Sequence, residues 1–189
     1  MIAEFMLQRT KADQVLPVYE KFLEKYPDII SLSKAKLSTV SKFTKNLGIH
    51  WRAKNFIAAS KFILKKYNGR FPNTRNELLE IPGVGEYVAG AIQAVCYNNT
   101  EFVIDSNIAR FINRFYGLNM TAEIRRKKII IEYARKLFKV ENQRKFLFAI
   151  LDFTALICKP INPLCHNCPL RNKCRYIIDD VFEYNQDQI

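Results

Sequence analysis

The sequence predicts an all-α protein, because apolar residues recur at helical spacing and no segment shows the alternation typical of a β-strand. Three N-terminal segments carry the helical pattern, at residues 15–26, 37–43 and 56–64. Each is followed by a residue type that ends helices, namely Pro27, Gly48 and Gly69. Thr10 is expected to cap the first segment. These features together predict helices joined by short turns.

Five further helices are expected beyond Gly69, at residues 73–79, 86–97, 104–116, 122–138 and 142–157. Asn73 would cap the first of these helices, and Gly117 would end the third. The chain contains no repeat, low-complexity tract or flexible linker. If the fold has two lobes, their segments must therefore be interleaved along the chain.

Composition and charge restrict the class of protein. The chain has 189 residues, 49% of them hydrophobic, which is enough for one compact unit or two small lobes. We find neither an uncharged apolar run long enough for a transmembrane helix nor a signal peptide, and we expect an intracellular protein without a membrane role. The net charge of +12 suits a polyanionic partner, although the last residues are acidic.

One segment has the pattern of a hairpin between two helices. Residues 78–85 read Leu-Leu-Glu-Ile-Pro-Gly-Val-Gly, and Ala89 follows. Glycines permit positive φ and close approach of another surface, and a helix starting at Glu86 would offer free N–H groups to one DNA phosphate. Leu78, Ile81 and Ala89 would pack the two helices together. The alternative is an ordinary glycine-rich turn.

Four cysteines lie close together near the C-terminus. Cys158, Cys165, Cys168 and Cys174 fall within seventeen residues, separated by six, two and five residues. Thiolates at such spacing hold either a [4Fe–4S] cluster or a tetrahedral zinc ion, and spacing does not separate these two. Disulfides are the other alternative. The fifth cysteine, Cys96, is expected to pack in the core.

Three features follow one another along the chain: the hairpin, an aspartate twenty residues after Gly85, and the cysteine spacing. Their order resembles that of the endonuclease III family of helix-hairpin-helix DNA glycosylases. The resemblance extends to residues 3–10 and 47–55 and covers nearly the whole chain. It implies two all-α lobes with DNA between them. We expect residues 1–9 and 118–189 to form the lobe that carries a [4Fe–4S] cluster, and residues 10–117 to form the lobe with the hairpin.

The resemblance also implies roles for individual residues. Asp105 would be the essential aspartate near the sugar, Glu4 would position water or deliver a proton, and Tyr87 would line the base pocket. By its residue type alone, Asp105 could instead be an ordinary helix N-cap. Contacts with DNA are expected from the hairpin, from a wedge and from an orienting amide: Gly83, Val84, Gly85, Gln8, Arg9, His50 (with Ile49) and Asn107. For His50, a surface or packed histidine is the alternative. Generic attraction to phosphates is expected from several basic residues, each of which could instead be part of a solvated helix face: Arg52, Lys54, Lys61, Lys65, Lys66 and residues 125–128.

Tyr87 and the residues around Asp105 resemble the mismatch branch of this family. Bifunctional members carry a lysine where this chain has Tyr87, and a phenol cannot form a Schiff base. We therefore expect a monofunctional glycosylase. Adenine glycosylases usually have Gly-Leu-Gly-Tyr-Tyr where residues 46–50 read Asn-Leu-Gly-Ile-His, and they usually carry a further C-terminal domain. Thymine or uracil opposite guanine is the expected target; adenine opposite guanine or 8-oxoguanine is the alternative.

Several expectations about the whole protein follow from the resemblance. We expect a monomer that binds double-stranded DNA containing a mismatch or damaged base, in the cytoplasm of a prokaryote or the nucleus of a eukaryote. Family members usually have further residues before the position of Glu4, so we expect the sequence to begin inside a longer protein. Two other classes are a non-catalytic iron–sulfur module that binds DNA and a zinc-stabilised helical protein without a nucleic-acid role.

Overall fold

The computed structural model of the protein describes residues 1–48 and 51–178. Within these ranges there is no β-strand, and residues 175–178 are helical in addition to the ten α-helices named next, so the predicted all-α class is confirmed. The helices are α1 (Ile2–Leu7), α2 (Ala12–Lys25), α3 (Ile29–Ser33), α4 (Leu37–Thr44), α5 (Arg52–Tyr67), α6 (Arg75–Glu80), α7 (Glu86–Cys96), α8 (Ser106–Phe115), α9 (Lys128–Leu137) and α10 (Gln143–Leu156). No helix in the described ranges has the length and apolarity needed to cross a membrane.

The helix boundaries differ from the sequence expectations where a local hydrogen bond decides them. Helix α2 has Lys11 at its N-cap and no side-chain cap, because the Thr10 hydroxyl donates instead to the Leu47 carbonyl at 3.0 Å. Helix α6 is capped by Thr74 rather than by Asn73. The five-residue helix α3 was not predicted, because it is too short to show periodicity; its start is fixed by a capping box between Asp28 and Ser31.

Two other expectations are wrong. Helix α9 begins at Lys128 and not near residue 122, and Ala122 has a positive φ of 65°, a conformation that a helix interior does not contain. Cys96 is exposed rather than packed in the core. It lies at the last position of α7, where the buried stripe of that helix has already ended.

The described contacts group into two compact units, Met1–Ile92 and the chain from Gln93 onward. The first unit is built around α5, which packs against α3 and α4. Its core contains an aromatic cluster in which Phe56 of α5 lies 5.6 Å from the ring of Phe5 and 5.2 Å from that of Phe22. This cluster fixes α1 and α2 against α5, and so fixes the loop that joins α1 to α2.

The second unit is built around α8, which packs against α9 and α10. Helix α8 is strongly amphipathic, and its apolar side is fully buried at Ile108 and Ile112. Phe111 meets Phe153 of α10 edge-to-face at 5.4 Å, and Tyr116 stacks on Tyr133 of α9 at 3.9 Å. These contacts hold the middle and the C-terminal end of α8, and Asp105 lies at its N-terminal end.

Candidate active site

The turn between α6 and α7 has the burial pattern that the sequence predicts for a helix-hairpin-helix. Leu78, Ile81 and Ala89 are all buried, with at most 1% of each residue exposed. Gly83 and Gly85 are exposed. The apolar residues of the hairpin thus belong to the core, and its glycine backbone faces solvent.

The two hairpin glycines have different roles. Gly83 has a φ of +86°, as predicted, and a Cβ built there would meet the side-chain amide of Asn55 in α5 at 2.5 Å. Gly85 does not have a positive φ, contrary to expectation; the space around its Cα is open, which allows close approach of a ligand. The Val84 N–H donates to the Ile81 carbonyl at 3.0 Å, and the Val84 side chain is buried. Both groups of Val84 therefore make their contacts within the protein.

Asp105 lies at the N-cap of α8 and is half-buried. Its Oδ1 accepts from the Ile108 N–H at 2.7 Å, and its Oδ2 accepts from the Asn107 side-chain amide at 3.2 Å. The capping role that its residue type suggests is therefore present.

Arg110 links the residues around Asp105 to the cysteine loop. One turn along α8, its Nη1 donates to the Oδ1 of Asn107 at 2.8 Å. Its Nη2 donates to the carbonyl oxygens of Thr154 (2.8 Å) and Cys158 (2.7 Å), and its Nε also donates to Cys158 at 3.1 Å. A continuous chain of hydrogen bonds thus runs from the Asp105 carboxylate to the first cysteine of the loop.

Glu4 and Tyr87 belong to the unit Met1–Ile92, whereas Asp105 and Asn107 belong to the unit that starts at Gln93. Glu4 lies in α1 and is half-buried. Burial raises the pKa of its carboxyl group, and the nearby amino terminus only partly opposes this. A raised pKa suits a carboxyl group that donates a proton near neutral pH. Tyr87 is half-buried in the first turn of α7.

The loop between α1 and α2 contains the predicted wedge residues Gln8 and Arg9. Arg9 is exposed and has a φ of 54°, a left-handed conformation that is uncommon for a residue with a side chain. The Gln8 carbonyl accepts from the Nη2 of Arg52, which also donates to the Thr10 hydroxyl at 2.8 Å. The other wedge candidates, Ile49 and His50, lie outside the described residues.

The four C-terminal cysteines line one cavity of about 390 Å³, measured out to its opening. Apolar side chains from α8 and α10, among them Phe111 and Ile157, form the rest of its wall. All four thiols are free of disulfides. In residues 1–48 and 51–178, no three or more histidine, cysteine or acidic side chains are placed so that they could hold a single metal ion.

Arg114 braces the loop that carries these cysteines. Its Nη1 donates to the Lys159 carbonyl at 2.6 Å and lies 3.8 Å from the Sγ of Cys158, and its Nη2 donates to the Pro160 carbonyl at 3.1 Å. Burial first, and neighbouring thiols second, raise the pKa of Cys165.

The lysine and arginine residues proposed to attract phosphates differ in availability. Lys54, Lys61 and Lys65 on α5 are exposed. Lys66 instead pairs with Glu80, and Arg125 pairs with Glu123. Arg52 is completely buried and cannot touch a phosphate. Its expected role in generic phosphate attraction was therefore wrong.

Three residues that contribute to this geometry were not identified from the sequence: Arg52 as a buried donor, Asn55 beside Gly83, and Arg110. Their roles depend on contacts across 28 to 48 residues of chain. Helical spacing offers one weak signal for Arg110, because Asn107 and Arg110 are three residues apart and so lie on the same side of α8. No local pattern indicates that Arg52 is buried.

Comparison with known proteins identifies related sequences over most of the chain. Residues 2–140 match the family model described as the HhH-GPD superfamily of base excision DNA repair proteins. The chain is 34% identical to the adenine DNA glycosylase of Buchnera aphidicola subsp. Baizongia pistaciae, over 97% of this chain and 52% of that protein. It is 33% identical to the thymine-DNA glycosylase of Aeropyrum pernix, over 95% and 82% respectively. The chain thus spans about half the length of the adenine DNA glycosylases that it matches.

Solved structures share this fold. A thermostable thymine-DNA glycosylase superposes with a TM-score of 0.87 at 30% identity, over 94% of this chain and 82% of that one. Endonuclease III in a non-covalent complex with DNA superposes with a TM-score of 0.79 over 95% of this chain and 83% of that one, and at 22% identity this likeness concerns the fold alone. The predicted glycosylase fold is confirmed by these superpositions.

Proposed function

Since the chain belongs to the HhH-GPD superfamily of base excision DNA repair proteins, we propose that it is a monofunctional DNA glycosylase that hydrolyses the N-glycosidic bond of a mispaired base. The observation that carries this proposal is the environment of Asp105. A half-buried carboxylate lies at the start of α8, twenty residues after an exposed glycine hairpin, with an amide donor and an arginine behind it. A carboxylate held in this way can stabilise a positive charge that develops beside it.

The chemistry of base removal explains why a carboxylate is needed. Cleavage of the glycosidic bond leaves positive charge on the sugar, as it does in hydrolysis of O-glycosides. Asp105 would stabilise this charge at the sugar carbon. The amide of Asn107 and the N–H of Ile108 keep its two oxygens fixed, so that little reorganisation is needed as the charge develops.

We propose further roles for Glu4 and Tyr87. The raised pKa of Glu4 lets it keep a proton for a departing base. This role would matter more for adenine, which is protonated on its ring, than for thymine, which leaves as an anion. Tyr87 would line the pocket for the extruded base. Because a phenol forms no Schiff base, we propose hydrolysis without strand cleavage.

Binding of DNA would combine a hairpin, a wedge and general charge. The exposed backbone at Gly83 and Gly85 and the start of α7 would contact a phosphate, while Gln8 and Arg9 would fill the gap left by an extruded nucleotide. The Val84 N–H would contribute little, because it is already bonded within the turn. The exposed lysines of α5 would add attraction that salt weakens.

The cysteine loop fits a [4Fe–4S] cluster. Four thiols line one cavity, and thiolate is the ligand that such clusters take. Cys158, Cys165, Cys168 and Cys174 would hold it. When bound, the cluster would cross-link the loop and need take no part in base removal. A tetrahedral zinc ion is the alternative that metal analysis would distinguish.

For the substrate we propose thymine or uracil opposite guanine in double-stranded DNA. The chain covers 82% of the Aeropyrum pernix thymine-DNA glycosylase and 82% of the thermostable thymine-DNA glycosylase, on which it superposes with a TM-score of 0.87. Adenine opposite guanine or 8-oxoguanine is the second candidate, and the 34% identity to an adenine DNA glycosylase favours it. We further propose a monomer that works wherever the genomic DNA lies.

A base-release assay tests the function and selects the substrate. Purified protein is incubated with G·T, G·U, A·G and A·8-oxoguanine duplexes, and abasic sites are then cleaved by alkali and counted. Turnover of the G·T and G·U duplexes supports the proposal, and turnover of only the adenine duplexes supports the second candidate. Tight binding with no base release from any duplex would indicate a non-catalytic DNA-binding module.

A further inference from the structure

Arg52 is a charged side chain with none of its surface exposed, and its contacts lie on two different loops. Its Nη1 donates to the Leu47 carbonyl at 2.6 Å, at the end of the segment that follows α4. Its Nη2 donates to the Gln8 carbonyl and to the Thr10 hydroxyl, both in the loop between α1 and α2. The guanidinium thus joins the two loops.

The two loops are also joined directly, which makes Thr10 a shared contact. Its hydroxyl accepts from Arg52 and donates to the Leu47 carbonyl at 3.0 Å. Between Gln8 and Thr10 lies Arg9, exposed and left-handed, and the hydrogen bonds on either side of it hold the backbone in that uncommon conformation. The backbone at Gln8 and Arg9 is therefore set by the interior of the unit rather than by solvent.

The acceptors around Arg52 are all neutral oxygens: two backbone carbonyls and one hydroxyl. A buried cation is costly, and burial lowers the pKa of this guanidinium. Three acceptors in two loops require a planar, forked donor, which lysine does not have. The same turn of α5 carries Asn55, which abuts the hairpin at Gly83. The start of α5 thus contacts the two loops of this unit that the proposed function places on DNA among the described residues: the loop after α1 and the hairpin.

We propose that Arg52 is a positioning residue for base extrusion: it fixes Gln8 and Arg9 in the conformation that enters the duplex, without touching DNA itself. This inference rests on the proposed function, because it assumes that the loop after α1 enters DNA. Loss of the guanidinium would release both loops. Binding to phosphates would remain, because the hairpin and the exposed lysines are elsewhere, but the extruded state would lose population.

Two measurements on Arg52→Met and Arg52→Lys test this role. Hydrogen exchange of the free protein reports the loops directly, and we expect residues 8–10 and 45–48 to exchange about tenfold faster or more in both variants. The fluorescence of 2-aminopurine placed beside the mismatch reports extrusion in duplexes saturated with protein. We expect most of its increase to be lost, while affinity for undamaged duplex changes by less than about threefold.

Two further variants serve as comparisons. Ile63→Ala removes a fully buried side chain eleven residues further along α5, so it controls for loss of stability. Thr10→Val removes the shared hydroxyl at constant shape and should give a weaker form of both Arg52 effects. If Arg52→Met does not fold, judged by circular dichroism, Arg52→Lys and Thr10→Val decide the question.

The outcomes separate the two proposals. Faster exchange in both loops with normal 2-aminopurine fluorescence would overturn the positioning role, as would equal loss of fluorescence in Ile63→Ala. Unchanged exchange in the Arg52 variants would overturn the loop contact itself. If the wild-type protein gives no fluorescence increase and releases no base from any duplex, the proposed function has failed, and the exchange data still report on the loops.

Discussion

Arg110 and the backbone carbonyl of Cys158 are joined by two hydrogen bonds, from Nε at 3.1 Å and from Nη2 at 2.7 Å. The third guanidinium nitrogen of Arg110, Nη1, donates to the side-chain oxygen of Asn107, and the side-chain amide of Asn107 donates to the Asp105 carboxylate. One side chain therefore holds the residue that orients the proposed catalytic group and the residue that begins the cysteine loop. Movement of the loop would be transmitted to Asp105 along this path.

Replacing Arg110 by glutamine should slow base release and destabilise the cysteine loop together. Hydrogen bonds to a charged group contribute about 1.5–3 kcal/mol each, and the substitution removes several that are partly buried. We expect a single-turnover rate at least about tenfold lower. We also expect faster bleaching, under oxidant, of the absorbance near 400 nm that the proposed [4Fe–4S] cluster would give. Stopped or quenched single-turnover assays and absorbance spectra measure these two effects.

Arg114→Gln is the matched control for this prediction. Arg114 braces the same loop through the Lys159 and Pro160 carbonyls, but the structure gives it no hydrogen bond to Asn107. The control should bleach faster and retain most of its single-turnover rate while the cluster is intact. Equal rate loss in the two variants would show that the loop, and not the path through Asn107, sets the rate.

Replacing Asp105 by asparagine should abolish base release and leave the fold and DNA binding unchanged. Asparagine is also a good N-cap, so the hydrogen bond to the Ile108 N–H can be kept while the negative charge is lost. We expect a rate reduction of about 10²-fold or more, because the charge on the sugar is no longer opposed. Base release and duplex affinity are measured on the same preparation.

Asp28→Asn provides the comparison for Asp105→Asn. Asp28 caps α3 through the Ser31 N–H at 2.7 Å, and its carboxylate is exposed. The two substitutions therefore make the same chemical change at the same kind of helix position. Full activity of Asp28→Asn is expected, and retained turnover of Asp105→Asn would remove Asp105 from the mechanism.

The sequence predicts the elements of this site better than its supports. Helical spacing and glycine positions place α5, α7 and α8 within a few residues, because these helices bury a continuous apolar stripe. By residue type alone Asp105 could be an ordinary helix N-cap, but it stands out through the family resemblance, and the cysteines stand out by their spacing. Arg52 and Arg110 do not, because their contacts are with backbone oxygens far away in the sequence, and a basic residue on a helix is usually solvated. The start of α9 was missed because the chain at Ala122 takes a left-handed turn.

The pH dependence of activity should depend on Glu4. Burial raises the pKa of this carboxyl group, so it keeps its proton above the ordinary range of a glutamate. If it supplies that proton to the departing base, base release falls as pH rises through the raised pKa. Glu4→Gln should remove this limb of the profile, with a larger loss of rate for adenine than for thymine or uracil.

Stability gives an independent check on the environment of Glu4. A carboxyl group whose pKa is higher in the folded state contributes most to stability below its unfolded pKa, and this contribution is lost as pH rises through the folded pKa. The free energy of unfolding of the wild type should therefore decline relative to that of Glu4→Gln across this window. Parallel stability curves for the two proteins would show that Glu4 is not desolvated.

Tyr87→Lys should convert the enzyme from hydrolysis alone to hydrolysis with some strand cleavage. Tyr87 is half-buried in the first turn of α7, directly after the hairpin, at the position where bifunctional relatives carry an amine. A lysine whose ammonium is partly desolvated near the positive end of a helix has a lowered pKa, and so supplies the neutral amine that attacks the sugar carbon. Borohydride would trap the resulting Schiff base as a covalent protein–DNA band on a denaturing gel. The wild type should give no such band, and a wild-type band lost on substitution of another lysine would mean that the proposed monofunctional chemistry is wrong.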